Sequence, residues 1–407
     1  MTSTCYGDQN EGRAASPVLG LLLRLLSANW TWGRLTLVLP DGGRHQLTGR
    51  TDGHAAVMTV RDPRFAARVL KSGDIGFAEG YMAGEWDTPD LAILLETLVN
   101  NYDHIRRLFD GNPLMNLVHW FGHRLNRNSR RGSRRNIHAH YDLGNAFYSA
   151  WLDPSMTYSS ARFERAGQPL QEAQYAKYAS LARMMDLQPG HSVLEIGCGW
   201  GGFAEFAARE VGAVVTGVTI SREQHDHARR HLFDAGLADR ADIRLTDYRD
   251  VEGSFDRVAS IEMFEAVGRE YWPTYFQKVH DVLKPGGRAG LQIITIQDAL
   301  FEEYDARTDF IQKYVFPGGS LPSEQRIAPV IARAGLTGTG VERFGVDYAD
   351  TLADWARRFD GAWGDIVRGG AGFDDRFRRL WRFYLAYCEA GFRSGRTNVI
   401  QMALQRA

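Results

Sequence analysis

The chain has 407 residues, more than one hydrophobic core usually holds, so two domains are expected. With 44% hydrophobic residues, 24% charged residues and a net charge of -1, the composition excludes a disordered or fibrous protein, and the overall charge indicates no particular partner. Three scattered cysteines are too few for a disulfide framework or a metal-ligand cluster, which favours a reducing compartment such as the cytoplasm.

The first hundred residues predict a small α+β domain. The apolar stretch from Val18 to Leu26 lacks the basic flank and cleavage site of a signal peptide, so we expect an amphipathic helix. Strands are predicted at Leu35 to Leu39 and Ala55 to Val60, and a helix at residues 89–100, where a proline precedes apolar residues at helical spacing. No apolar run approaches the roughly 20 residues of a membrane span, so any lipid contact must be peripheral.

A basic segment separates this domain, residues 1–123, from the rest of the chain. Six arginines lie between Arg124 and Arg135 among Asn, Ser and Gly residues, a composition typical of an exposed linker. Each basic residue near an acidic bilayer contributes about 1 kcal/mol, so the segment could instead bind anionic head groups, with Pro113 to Phe121 as an interfacial anchor. The sequence leaves both interpretations open, and the first domain could bind lipid or promote homodimer formation.

Residues 136–407 predict an α/β domain of the Rossmann-like type. From about Gln174 to Arg343, short apolar strands alternate with helical stretches, which indicates a mostly parallel sheet with helices on both faces. The predicted strands are Ser192 to Ile196, Val214 to Val218, Ile243 to Thr246, Arg257 to Ile261 and Arg288 to Ile294.

The first of these strands runs directly into a glycine-rich turn. Gly197, Gly199 and Gly201 let the backbone turn tightly and approach a ligand at the carboxyl edge of the sheet. Glu195 precedes the first glycine by two positions, which gives the pattern Glu-x-Gly-x-Gly-x-Gly associated with S-adenosylmethionine. The alternative is a glycine turn that serves only close packing.

Polar residues also follow the second and third strands. Thr219, Ser221 and Gln224 are candidates to hold the ribose and methionine ends of the cofactor. Asp247, beside Tyr248, offers a carboxylate to the adenine amino group. A nicotinamide dinucleotide would need an acidic residue at the end of the second strand, where Thr219 and Ser221 stand. The predicted cofactor is therefore S-adenosylmethionine.

Seven motifs in order resemble the cyclopropane-fatty-acyl-phospholipid synthases and related lipid methyltransferases. They are His140 to Asn145, Leu152 to Ser159, Val193 to Gly202, Gly217 to Ser221, Met263 to Glu265, Lys313 to Pro317 and Leu321-Pro322. The resemblance, from about residue 136 to the C-terminus, implies a class I methyltransferase at the inner face of the membrane. By the same resemblance it methylates the cis double bond of unsaturated acyl chains in membrane phospholipids. The resulting carbocation becomes a cyclopropane when a base takes a proton from the new methyl group.

The resemblance also implies a base, a bicarbonate ion held by a glutamate, a tyrosine, a cysteine, a histidine and a backbone amide. Glu265 and Tyr314 match the glutamate and the tyrosine. Ser160 stands at the cysteine position and Gln292 at the histidine position. Serine and glutamine can still donate hydrogen bonds to an anion, so the sequence leaves bicarbonate open.

Glu262 is a second candidate base. It lies three residues before Glu265, and on a shared helical turn it could act as a protein-borne base. Proton loss from a neighbouring carbon would then give a methyl-branched or methylene chain instead of a ring. By the family resemblance, Tyr158 and Ser159 close over the methionine end of the cofactor; a purely structural role in the core is the alternative for Tyr158 and Tyr314.

Three other functions fit the sequence less well. A methyltransferase of nucleic-acid base amines typically carries Asn or Asp before Pro-Pro and an aromatic residue after the fourth strand, which Ser260 to Glu265 lacks, so no nucleic-acid partner is expected. Only the family motifs argue against a small-molecule methyltransferase. A catalytically silent lipid-binding relative fits the changes at Ser160 and Gln292, but it would have little reason to keep the cofactor residues.

Overall fold

The structure is a computed structural model that describes residues 17–109, 143–370 and 372–407. The chain divides into two compact units, Met1–His119 with Phe373–Ser394, and Trp120–Gly372 with Gly395–Ala407. The predicted linker at residues 124–135 and the apolar segment before it lie outside the described residues. The sequence predicts one domain over residues 136–407, and the structure differs in placing Phe373–Ser394 with the first unit.

The described elements include each strand and helix that the sequence predicts, with bounds that differ by a few residues. The helices of ten or more residues are α1 Pro17–Asn29, α2 Arg64–Met82, α3 Leu91–Phe109, α4 Leu170–Met184, α5 Arg222–Asp234, α6 Trp272–Val282, α7 Glu324–Arg333, α8 Gly345–Arg368 and α9 Asp375–Arg393. The strands are β1 Trp32–Val38, β2 Arg44–Thr48, β3 Thr51–Val60, β4 Trp86–Asp87, β5 Ser192–Ile196, β6 Val214–Thr219, β7 Ala241–Leu245, β8 Phe255–Ile261, β9 Leu283–Ile296, β10 Leu336–Arg343 and β11 Thr397–Arg406.

The first unit is built on a four-stranded sheet of order β2-β1-β3-β4. Strand β1 pairs antiparallel with β2 and parallel with β3. Helix α1 buries Leu19, Leu22 and Leu26, whereas Leu21 is 51% exposed. This one-sided burial confirms the predicted amphipathic helix. None of the helices in the described ranges has the length and apolar character that a bilayer crossing requires.

Helix α9 belongs to the first unit because its side chains pack there. The Arg379 guanidinium lies 3.9 Å from the centre of the Tyr81 ring and donates to the carbonyl of Trp86 at 2.8 Å. Phe383 is buried, and its ring lies 5.8 Å from that of Tyr81. These contacts join residues more than 290 positions apart in the chain, so local sequence patterns do not reveal them.

The second unit contains a seven-stranded sheet of order β10-β11-β9-β8-β5-β6-β7. Strand β11 is antiparallel to both of its neighbours, and the other pairs are parallel, so the sheet is mostly parallel as predicted. Strand β5 lies between β8 and β6, and its Val193 and Leu194 are fully buried. The carboxyl ends of these parallel strands share one edge of the sheet, where ligands bind in folds of this class.

Candidate active site

The glycine turn after β5 creates open space at this edge. Gly197, Gly199 and Gly201 all have positive φ, at 80°, 53° and 95°, a conformation that favours glycine. A Cβ atom at Gly197 would lie 2.6 Å from Cγ of Met263, whereas no described atom lies within 4 Å of a Cβ at Gly199. The turn is therefore closed by packing at its first glycine and open at its second.

Glu195, at the end of β5, carries an unsatisfied polar atom beside this space. Its side chain is buried, and its Oε2 accepts no hydrogen bond from any described residue. Burial raises the pKa of Glu195 to about 8, against the attraction of Lys177. Since buried polar atoms normally have partners, the orphaned oxygen indicates a ligand that donates a hydrogen bond. The open turn and Glu195 together fit S-adenosylmethionine, whose amino and hydroxyl groups are donors.

The residues after β6 form one small hydrogen-bonded group. The Thr219 hydroxyl donates to Oε1 of Gln224 at 2.8 Å, and the backbone NH of Ser221 donates to Oγ1 of Thr219 at 3.2 Å. The side chain of Ser221 caps α5 by accepting from the NH of Gln224. All three residues are buried. The structure thus brings together the three polar residues that the sequence singles out here.

The residue pair after β7 includes a partner that the sequence analysis misses. The Arg249 guanidinium donates to both carboxylate oxygens of Asp247, at 2.8 and 2.7 Å, and lies 5.5 Å from the centre of the Tyr248 ring. Asp247 is 3% exposed. The backbone NH of Arg249 also donates to Oδ1 of Asp247 at 3.0 Å, so Arg249 fixes the position of this carboxylate at the edge of the sheet.

Glu262, just after β8, lies among three hydrogen-bond donors. Its Oε1 accepts from the backbone NH of Ser160 at 2.9 Å and from Nε2 of Gln292 at 2.8 Å, and its Oε2 accepts from the hydroxyl of Tyr348 at 2.7 Å. Its φ of 49° is uncommon for a residue other than glycine. Burial raises the pKa of Glu262, and the Tyr348 hydroxyl is the strongest opposing influence.

Glu262 and Glu265 do not share the helical turn that the sequence left open. The left-handed backbone of Glu262 separates it from the short 3-10 turn Phe264–Ala266 that carries Glu265. Oε1 of Glu265 accepts from the backbone NH of Ile294 at 2.5 Å, and its Oε2 has no described donor. Burial raises the pKa of Glu265 to about 8, and the nearby charge of Glu262 contributes to this increase to a smaller extent.

The described side chains do not fit a bound bicarbonate. The Ser160 hydroxyl donates to the carbonyl of Ala161, Gln292 donates to Glu262, and the NH of Ile294 donates to Glu265. Three of the donors that the resemblance assigns to the anion, on Ser160, Gln292 and Ile294, are thus engaged elsewhere. Two adjacent carboxylates would also repel an anion when they are ionised.

Tyr314 lies at the end of the short helix Phe310–Tyr314. Its ring is 5.6 Å from the Phe310 ring and 5.1 Å from the ammonium of Lys313. The chain after this helix returns to the site, because the NH of Ser320 donates to the carbonyl of Glu265 at 2.9 Å.

A cluster of aromatic rings around Tyr158 extends to Tyr348, which donates to Glu262. The Tyr158 ring lies 5.3 Å from Tyr148, 5.6 Å from Trp151 and 5.3 Å from Trp355. Trp355 in turn lies 6.2 Å from Tyr348, the hydroxyl donor to Glu262. Tyr158 is therefore part of an aromatic cluster, and the faces of such rings stabilise positive charge.

Lys177 is a further polar residue that the sequence analysis misses. It is fully buried, and its ammonium donates to Oγ of Ser159 at 2.7 Å. A signal was present in the sequence, because Leu170, Gln174, Lys177 and Leu181 recur at helical spacing on α4 and all are buried. Two polar residues within such a buried stripe indicate a buried polar site.

Comparisons with known proteins agree with the predicted fold and family. A family model described as mycolic acid cyclopropane synthetase matches residues 128–402. Tuberculostearic acid methyltransferase UfaA1 of Mycobacterium tuberculosis is 39% identical over 408 residues, which cover 97% of this chain and 93% of that protein. The cyclopropane-fatty-acyl-phospholipid synthase of Escherichia coli K12 is 35% identical over 358 residues, which cover 86% of this chain and 88% of that one.

A solved structure supports the cofactor. The crystal structure of mycolic acid cyclopropane synthase CmaA1 complexed with SAH and CTAB is 31% identical with a TM-score of 0.62, and the match covers 67% of this chain and 98% of that one. These matches confirm the family resemblance, the Rossmann-like class I methyltransferase fold and S-adenosylmethionine as the cofactor. The chain therefore belongs to the mycolic acid cyclopropane synthetase family of S-adenosylmethionine-dependent methyltransferases.

Proposed function

We propose that this protein methylates the cis double bond of unsaturated acyl chains in membrane phospholipids. The named relatives include a cyclopropane-fatty-acyl-phospholipid synthase and a tuberculostearic acid methyltransferase, which supports an acyl chain as substrate. When bound, S-adenosylmethionine supplies an electrophilic methyl group, so attack by one alkene carbon leaves a positive charge on its neighbour. The protein must then stabilise this cation, exclude water and remove one proton.

The aromatic cluster and the buried carboxylates suit the first two tasks. The faces of Tyr158 and Trp355 carry negative potential, and Trp355 is fully buried. Glu262 adds a carboxylate that is held in place before the charge develops, which is the arrangement that stabilises a transition state most effectively. The surrounding burial limits capture of the cation by water.

We assign proton removal to Glu262. Its Oε1 already accepts two hydrogen bonds and its Oε2 only one, so Oε2 has a lone pair left for the proton. Burial raises the pKa of Glu262 above that of an exposed carboxyl, which makes its ionised form a stronger base.

The base is expected to decide the product. If the new methyl group loses a proton while its carbon bonds to the cationic carbon, a cyclopropane forms. If a hydride first moves from the methyl-bearing carbon to the cationic carbon, loss of a methyl proton gives a methylene chain without a ring. The sequence favours the ring and leaves open whether bicarbonate is the base.

One observation favours the open-chain product, and it carries our proposal. Two of the donors expected to hold bicarbonate are engaged, since Gln292 donates to Glu262 and the NH of Ile294 donates to Glu265. We therefore propose a methyl-branched or methylene acyl chain as the main product. The cyclopropane remains the second candidate, because Glu265 and Tyr314 match the bicarbonate ligands of the family.

Mass spectrometry and proton NMR of fatty acids from expressing cells test this proposal. We expect a gain of one CH2 unit with signals of an exocyclic methylene group or a methyl branch. Upfield cyclopropane signals as the main product would contradict the open-chain assignment. Glu262→Gln should abolish proton removal while cofactor binding persists, and Glu252→Gln, which changes an exposed carboxyl outside the site, is the matched control.

A second assay separates this function from that of a silent lipid-binding relative. Purified protein is incubated with S-adenosylmethionine labelled in the methyl group and vesicles of an unsaturated phospholipid. Label in the lipid supports methyl transfer, whereas cofactor binding without transfer supports the silent relative.

An enzyme that acts on bilayer lipids must dock on the membrane, and we propose peripheral attachment at its inner face. The arginine segment at residues 124–135 and the apolar segment before it lie outside the described residues, so their part in docking stays a prediction. Lipid binding or homodimer formation by the first unit is likewise proposed from sequence.

A further inference from the structure

Lys177 is a buried charge that the mechanism above does not use. Its side chain is fully buried, its ammonium donates to Ser159 Oγ at 2.7 Å, and the same ammonium lies 4.4 Å from the centre of the Tyr178 ring. Burying an ammonium is costly unless negative charge or hydrogen bonds compensate it. A lysine at this place therefore requires a compensating partner.

Three carboxyl groups from different segments attract this charge when they are ionised. Glu262, after β8, attracts Lys177 most strongly, followed by Asp153 and by Glu195 on β5. Burial lowers the pKa of Lys177 to about 7, and these carboxylates oppose that change. The attraction is mutual, because Lys177 acts to lower the pKa of Glu262 and that of Glu195.

Buried amides connect the backbone of Lys177 to Glu262. Nε2 of Gln401 on β11 donates to the carbonyl of Lys177 at 3.0 Å and to Oε1 of Gln292 on β9 at 3.1 Å. Nε2 of Gln292 then donates to Glu262 at 2.8 Å. Gln401 and Gln292 are 0% and 1% exposed. Helix α4 is thus connected to Glu262 through strands β11 and β9. This connection fixes the position of Lys177 relative to the carboxylate.

We infer that Lys177, anchored on Ser159 Oγ, is the positioning residue that keeps Glu262 in its carboxylate form for proton removal. The inference rests on the function proposed above. Without the ammonium, burial would favour protonated Glu262, which cannot accept a proton. The tyrosine Tyr348 supports the same ionised form from α8 by its hydrogen bond.

The test is the pH dependence of kcat for Lys177→Met, an uncharged residue of similar length. Full-length protein, labelled S-adenosylmethionine and unsaturated phospholipid vesicles are assayed from about pH 5 to about pH 9. The acid limb is the part of the pH profile in which kcat falls as the base is protonated. We expect it to shift to higher pH by about one unit, so that kcat below the limb falls about tenfold and recovers at high pH. Lys71→Met, which changes an exposed lysine on α2, should leave the profile unchanged.

Other results would overturn the inference. An acid limb that stays in place while the rate falls equally at every pH means that Lys177 serves packing alone. The double variant Lys177→Met with Glu262→Gln covers the case in which the single variant fails to fold. Removing both charges should restore the folded protein, and a double variant that also fails refutes the pairing. Methyl transfer by the unaltered protein tests the proposed function separately.

Discussion

The hydroxyl of Tyr348 offers a sharp test of Glu262 as the base. The change is Tyr348→Phe, which removes the donor to Oε2 of Glu262 and keeps the ring. Tyr348 is 6% exposed and its ring lies 6.2 Å from that of Trp355, so phenylalanine preserves the packing. The substitution therefore changes the electrostatics of Glu262 and leaves the aromatic cluster in place.

The magnitude follows from the lost hydrogen bond. A hydrogen bond to a charged group contributes about 1.5 to 3 kcal/mol, which corresponds to about one to two pKa units. Burial already raises the pKa of Glu262 and the Tyr348 hydroxyl opposes this effect, so its removal raises the pKa further. Since only the carboxylate can take the proton, the acid limb of kcat should move to higher pH. Below the limb the rate should fall about 10-fold to 100-fold, with little change at high pH.

The assay is transfer of labelled methyl groups to unsaturated phospholipid vesicles across the pH range. Tyr175→Phe is the matched control, because Tyr175 lies on α4 and its ring packs against that of Phe206, outside the carboxylate group. An acid limb at the same pH in Tyr348→Phe and in the unaltered protein would refute the assignment of Glu262 as the base.

Three further substitutions test other parts of the structure. Gly199→Ala should lower the free energy of unfolding by about 1 kcal/mol and also weaken cofactor binding, which calorimetry measures. Gly190→Ala is the control: Gly190 also has positive φ and open space around it, so its substitution should lower stability alone. Because the pKa of Glu195 is raised to about 8, its contribution to stability is lost as pH rises towards 8. The free energy of unfolding, measured with urea, should therefore fall between pH 5 and pH 8. In Glu195→Gln, which cannot ionise, this fall should be smaller by about 1 kcal/mol or more. Asn101→Leu leaves the backbone NH and carbonyl of Trp32 without their partner and should speed hydrogen exchange in β1.

The cofactor edge of the sheet follows from local sequence, which is why it could be predicted. The glycines after β5 need positive φ, and Thr219, Ser221 and Gln224 follow the next strand directly. Parallel strands bring such segments to one edge without further information. Each residue there is positioned mainly by its own neighbours in the chain.

The base side of the site depends on contacts between distant segments. Glu262 meets Tyr348 across 86 residues, and Gln401 meets Lys177 across 224 residues. The spacing of Glu262 and Glu265 leaves a shared helical turn open, but Glu262 has a left-handed backbone, and its NH donates to the carbonyl of the distant Gln292 at 2.8 Å. Local periodicity carries no information about such partners, so the sequence identifies the carboxylate without its environment.

The balance of charge at the site leads to a prediction for the cofactor itself. Burial raises the pKa of Glu195 and of Glu265 to about 8, so both carboxyls are mostly protonated near neutral pH. A positive sulfonium among these groups favours their ionised forms, and binding must then release protons. We expect the affinity for S-adenosylmethionine to rise from about pH 6 to about pH 8, and that for S-adenosylhomocysteine, whose sulfur is neutral, to rise less. Calorimetry in buffers of different ionisation enthalpy measures the released protons directly. Equal pH dependence for the two ligands would mean that these carboxyls do not respond to the sulfonium charge.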